Sequence, residues 1–164
     1  MKSLLLATAL TIATGFALAA KPVDVAPPFT GATVDGQRYD LAARRGRVVM
    51  VVLWRSDCPV CMDKLPELRA NAQGWKAAPF DLVLLNLDTN SVDVEHYERV
   101  RRVVAPGEQS VFSFWQGQVQ QAAAWRSGER LPYTLIIDRQ GAVVARYQGR
   151  IPPAAWNQVA DLLP

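Results

Sequence analysis

Cys58-Pro59-Val60-Cys61 holds the only two cysteines of the 164-residue chain. Two thiols separated by two residues close a very small ring, so a disulfide between them constrains little of the unfolded chain. Their chemistry lies in opening and closing. A thiolate attacks a partner disulfide, forms a mixed disulfide, and is released by the second thiol. The surroundings favour this use over a static bridge. Seven apolar residues, Val48 to Trp54, lead into the motif, and a helix-like segment, Pro59 to Gln73, follows it. A cysteine at a helix start faces free backbone N–H groups and the positive end of the helix dipole. That favours the thiolate and lowers the pKa below the free value of about 8.5. Cys58 is therefore the candidate nucleophile. Cys61, one turn further along, is the more buried, resolving thiol. Pro59 suits the first helical position, where its missing N–H has no helical partner to lose.

Metal chemistry fits these residues less well. A closed structural zinc site needs four ligands, and the chain has two cysteines and one histidine, His96. Met62 follows Cys61, so the C-x-x-C-H haem-attachment pattern is not met. A metal-binding or copper-delivery module built on Cys58, Cys61 and His96 is the rival reading. On the residues alone, His96 reads as a surface histidine of a polar helix. The sequence asks for no metal and no organic cofactor.

The elements that must position the dithiol follow from hydrophobic patterning. Val48–Trp54 is apolar on both alternating faces, which predicts a strand covered on both sides. Leu82–Leu87 predicts a second, and with the helix over 59–73 they make a β-α-β unit. Thr33–Tyr39 predicts a hairpin turning at Asp35-Gly36. Ser91–Val104 predicts a polar amphipathic helix, Val111–Trp115 a short strand, and Gln118–Trp125 a helix. Tyr133–Ile137 predicts a third buried strand, which Arg139-Gln140-Gly141 turns into an antiparallel partner over 142–147. Ala154–Leu163 predicts a closing helix after Pro152-Pro153.

Bulk properties allow one domain. The formal charge of +3, from 18 Lys and Arg against 15 Asp and Glu, is too slight to indicate nucleic acid. Arg44, Arg45 and Arg47 cluster, as do Arg99, Arg101 and Arg102, and both groups read as solvated surface. Residues 1–19 read as a secretory leader: Lys2, a mostly apolar run from Leu4 to Leu18, and the A-x-A site Ala17-Leu18-Ala19. Cleavage there leaves a mature domain over 20–164. An uncleaved membrane anchor is the rival, but the run is short for a bilayer span. Export places the thiols where disulfides persist, which for a bacterial leader means the periplasm.

The chain resembles the thioredoxin superfamily, specifically the TlpA/ResA-like periplasmic thiol–disulfide oxidoreductases. Leu53-Trp54-x-x-x-Cys58-x-x-Cys61, Pro66, and Leu131-Pro132 before a buried strand carry the resemblance. Upstream, Pro27-Pro28-Phe29 through Asp35-Gly36 and the stretch Leu41–Val48 look like the family's lead-in hairpin and first strand. The resemblance implies a three-layer α/β/α sandwich: a central mixed sheet, an N-terminal hairpin extension, and a helical insertion over 89–125. It implies catalytic roles for Cys58 and Cys61, and a cis Leu131–Pro132 bond whose loop, with Trp54 and Pro59, meets substrate. It implies a monomeric reductant of protein disulfides, recharged by a membrane-embedded electron donor, with cytochrome c maturation as one setting. The chain departs from the pattern at three places. Leu131 stands where reductive members commonly carry Thr. Val52 and Lys64 stand where acids handle the proton in thioredoxins and in the ResA-like group. Asp57 opposes a thiolate on Cys58 by charge repulsion, and Arg55 is placed to offset it. Lys64 is a candidate to stabilise a thiolate on Cys61, and Asp63 reads as solvent-facing. A peroxidatic site is not met, since Arg55 occupies the threonine position of Pro-x-x-x-Thr-x-x-Cys.

Overall fold

A computed structural model describes residues 23–125 and 130–164; the expected leader over 1–19 lies outside them. In chain order the elements are β1 (Thr30–Ala32), β2 (Arg38–Asp40), β3 (Val48–Trp54), α1 (Pro59–Gly74), β4 (Phe80–Asn86), α2 (Val92–Val104), β5 (Val111–Trp115), β6 (Val119–Gln120), β7 (Tyr133–Ile137), β8 (Val143–Gln148) and α3 (Pro153–Leu162). Every residue of β3, β4 and β7 is buried, as continuous apolar runs demand. They form the centre of a five-stranded mixed sheet of order β5-β4-β3-β7-β8. β4 is parallel to both β3 and β5; β7 runs antiparallel to β3 and to β8.

Alternation along β3 sorts the core into two layers. Val48, Met50, Val52 and Trp54 pack with Cys61, Leu65 and Leu68 of α1, Val94 of α2, and Ala155 and Val159 of α3. Val49, Val51 and Leu53 face the other way, onto Phe29, Tyr39, Phe114 and Trp125. That second layer is covered by a small sheet of order β2-β1-β6 and by 3₁₀ turns over Leu41–Arg44 and Ala122–Trp125. Phe29 anchors it, edge-on to Phe114 at 5.0 Å and to Trp125 at 5.4 Å.

Two expectations need correction. The stretch 41–48 does not run as strand: Asp40 caps a 3₁₀ turn by accepting from the Ala42 N–H, and β3 starts at Val48. The helix expected over Gln118–Trp125 is two 3₁₀ turns separated by β6, which pairs antiparallel with β1. The insertion thus carries strands as well as α2. Gln121, with φ of 56°, breaks any helical continuation. Gly31 admits the pairing: a Cβ there would stand 2.6 Å from the Gln118 carbonyl oxygen.

The arginine clusters are only partly solvated. Arg47 and Arg44 pair with Asp81, which is 1% exposed, and Arg44 stacks over Tyr39. Arg101 pairs with Glu98 and Glu108. Arg45, Arg99 and Arg102 remain exposed.

Candidate active site

β3 ends at Trp54, and its carboxyl edge lies beside that of β4, with Trp54 opposite Asn86. The loop that follows is tied to β4 through Asp88. The Ser56 N–H and hydroxyl donate to its carboxylate at 3.1 and 2.6 Å, and the Asn86 amide donates at 3.0 Å. These bonds fix the loop that launches α1.

Cys58 is the N-cap of α1, in extended backbone, with Pro59 in the first turn. Its Sγ accepts from the Cys61 N–H at 3.2 Å. A sulfur is an adequate cap acceptor, and a thiolate is a far better one. Cys58 and Cys61 are joined in a disulfide with a Cα–Cα distance of 5.2 Å. The two sulfurs sit in unequal surroundings. Cys58 is half-buried and flanked by exposed Pro59 and Val60, whereas Cys61 is 1% exposed and packed among helix-facing residues of the sheet.

Local charge is balanced rather than one-signed. Arg55 makes a bidentate pair with Asp57, at 2.9 and 3.1 Å. The repulsion that Asp57 would exert on a Cys58 thiolate is therefore largely offset. Lys64 pairs with Glu67 at 2.5 Å, and that bond holds the Glu67 carboxyl below its usual range. Asp63 is exposed, 4.0 Å from Arg150.

The Leu131–Pro132 bond is cis. Leu131 is half-buried and packs against both core layers, including the one that holds Cys61 and touches Cys58. Beside the loop, a groove of about 490 Å³ lies between the dithiol loop and α2, lined by Ser56, Asp57, Met62, His96 and Tyr97 among others. His96 is exposed on α2. Among the described residues, no three of His, Cys, Asp and Glu converge as metal ligands, so Cys58, Cys61 and His96 are not gathered into a site.

This geometry is shared with known proteins. A model of the family described as Redoxin matches residues 21–163. The chain belongs to the Redoxin family. Its fold is that of thioredoxin-like thiol:disulfide interchange proteins. A thiol:disulfide interchange protein of the thioredoxin family from Chlorobium tepidum TLS superposes with a TM-score of 0.68 at 20% identity, covering 87% of this chain and 97% of that one. A Chlorobium tepidum protein assigned as the thiol:disulfide interchange protein DsbE gives 0.66 at 25% identity, covering 88% and 96%. The methylamine utilization protein MauD of Methylobacillus flagellatus is 28% identical over 122 residues, 73% of this chain. The chain spans about half the length of that relative, 54%.

In this Redoxin protein one sequence expectation fails. Trp54 is 0% exposed, edge-on to Tyr97 at 5.5 Å, so it supports the dithiol from within the core and offers no surface to a substrate. Sequence reasoning also missed Asp88. Its signal was a polar Asn86-Leu87-Asp88 at the carboxyl end of a buried strand parallel to the one that carries the thiols.

Proposed function

We propose that this Redoxin protein is a thiol–disulfide oxidoreductase that works as a reductant of protein disulfides outside the cytoplasm. Cys58 attacks the substrate disulfide, and Cys61 resolves the mixed disulfide by bonding to Cys58 as the reduced substrate thiol leaves. Exposed Pro59, the Leu131 backbone and the Pro132 loop form the surface that meets an extended substrate segment. A membrane-embedded donor returns the protein to its dithiol form, and cytochrome c maturation is one process that consumes such electrons. The leader ending at Ala19 delivers the chain to the periplasm, where it acts as a monomer. No helix among the described residues is long and apolar enough to cross a membrane.

The observation that carries the reading is the asymmetry of the two sulfurs: a half-buried Cys58 accepting a helix N–H, and a buried Cys61 beneath it. The direction rests on the residues between them. Pro59 and Val60 donate no side-chain hydrogen bond to a thiolate, so the reduced form gains little extra stabilisation and remains a good donor. Equilibration with thiol–disulfide buffers should give a potential nearer thioredoxin's approximate −270 mV than the roughly −120 mV of a strong oxidant. A value above about −170 mV refutes the reductant reading. A Cys61→Ser variant should hold the natural substrate on Cys58 as a mixed disulfide.

A further inference from the structure

No ionisable side chain of β3, β7 or α3 meets Cys61 within the core. The helix-facing positions there are Val52 and Trp54 on β3, Thr134 and Ile136 on β7, and Ala155 and Val159 on α3. Charged and titratable groups surround this floor. They are the Arg55–Asp57 pair and Asp88 before the helix, Lys64 with Glu67 and Asp63 with Arg150 on its outer side, the buried Arg69–Glu98 pair between α1 and α2, His96 and Tyr97 on α2, the Tyr97 phenol being raised by burial, and Tyr147 on β8. A buried thiol in such a place resists ionisation. Yet resolution requires its thiolate.

Two polar atoms interrupt this apolar floor. Thr134 Oγ1 and Trp54 Nε1 are wholly buried, and neither has a hydrogen-bond partner among the described residues. Thr134 stands opposite Val52 across β3 and β7, on the helix-facing side. Trp54 is two residues along β3 from Val52, so the two orphan donors are diagonal neighbours under α1. Buried polar groups are satisfied in the great majority of cases, and an unsatisfied one calls for a reason. Here both lie in the layer that contains Cys61.

We propose that Thr134 is the hydrogen-bond donor that stabilises the Cys61 thiolate once the disulfide opens, in place of a buried acid. The inference rests on the dithiol reading above. In the resolving step the Cys61 sulfur bonds to Cys58 Sγ while the bond from Cys58 Sγ to the substrate sulfur breaks. The substrate sulfur leaves with the electron pair and takes up the proton that Cys61 has lost, so no further reactant is needed. The threonine hydroxyl neither gains nor loses a proton. It lowers the cost of the anion by donating to it.

The test uses Thr134→Val and Thr134→Ser in the full chain, and again with Cys58→Ser to isolate Cys61. Ultraviolet thiolate absorbance against pH reads Cys61 directly, and stopped-flow release of a chromogenic thiol from Cys58 reads resolution. Thr134→Val should move the Cys61 titration up by about one pH unit and slow release at neutral pH about tenfold, the rates converging at high pH. Thr134→Ser should restore both. The oxidised Thr134→Val protein should melt no lower than the parent, since the hydroxyl it loses has no partner there. An unchanged titration in Thr134→Val, a serine variant that behaves like valine, or a shift carried wholly by Trp54→Phe overturns the proposal. Loss of insulin reduction with the Thr134-dependent titration intact fails the functional reading alone.

Discussion

At the scale of single residues, the dithiol loop shows how one side chain cancels another. Asp57 precedes the nucleophile and would raise the energy of its thiolate, but Arg55 grips both carboxylate oxygens. The pair is exposed and screened, so each charge exerts a small effect and their sum a smaller one. Arg55→Ala should raise the Cys58 thiolate titration by about half a pH unit, and Asp57→Asn should lower it by a similar amount. Thiolate absorbance checks both, and identical titrations in the two variants would show that neither charge reaches the sulfur. Cys58, Cys61 and Pro59 were legible because each needs a specific backbone place that spacing reveals, and Pro132 was legible through the family resemblance. Thr134 and Asp88 were not, because a hydroxyl or carboxylate gains its meaning only from strands that arrive beside it from elsewhere in the chain. Trp54 was misassigned for the same reason: sequence gives its neighbours along the chain, not the Tyr97 ring that covers it.

At the scale of elements, the long apolar strands and the two-thiol helix were readable to within about two residues, since continuous burial leaves an unbroken apolar run. β6 was not. Two residues in a polar stretch carry no period, and the partner strand lies some ninety positions upstream. The docking of α2 was equally hidden. Arg69 of α1 and Glu98 of α2 are both almost wholly buried and paired, with Glu108, Arg101 and Ser113 completing the network. Removing one partner of such a pair leaves an uncompensated buried charge. Glu98→Ala should therefore cost about 3 kcal/mol in urea unfolding, and a loss within error would mean that Glu108 alone satisfies Arg69. The hairpin layer carries its own titration. Burial, with Asp81 nearby, holds the Tyr39 phenol well above its usual value near 10. A group raised in the folded state gives stability that is full below its unfolded pKa and lost as pH rises above it. Thermal midpoints should fall from about pH 10 upward. Tyr39→Phe should flatten that part of the fall; an unaltered alkaline slope would place its origin in other groups.

At the scale of the whole molecule, the sheet sets where the chemistry sits. The thiols leave the carboxyl end of β3, the loop carrying Asp88 leaves the carboxyl end of β4, and the cis-Pro loop enters β7 at that same edge. One rim therefore collects nucleophile, loop anchor and candidate substrate surface, while the opposite rim is free of them. Exported protein should have the intact mass of a chain beginning at Ala20. A mass that retains residues 1–19 would indicate an anchor.

The segment just after that expected cleavage point is already stitched to the domain. The Val143 N–H donates to the Asp24 carbonyl, Arg146 pairs with the Asp24 carboxylate, and Val25 bridges to Ala142. Only three residues lie between Ala20 and Asp24, a reach of about 14 Å over four fully extended steps. A membrane-held form would thus swing on a very short leash, with its dithiol rim confined to partners at the bilayer surface. Release of the leader is what would let the same domain diffuse to clients in three dimensions.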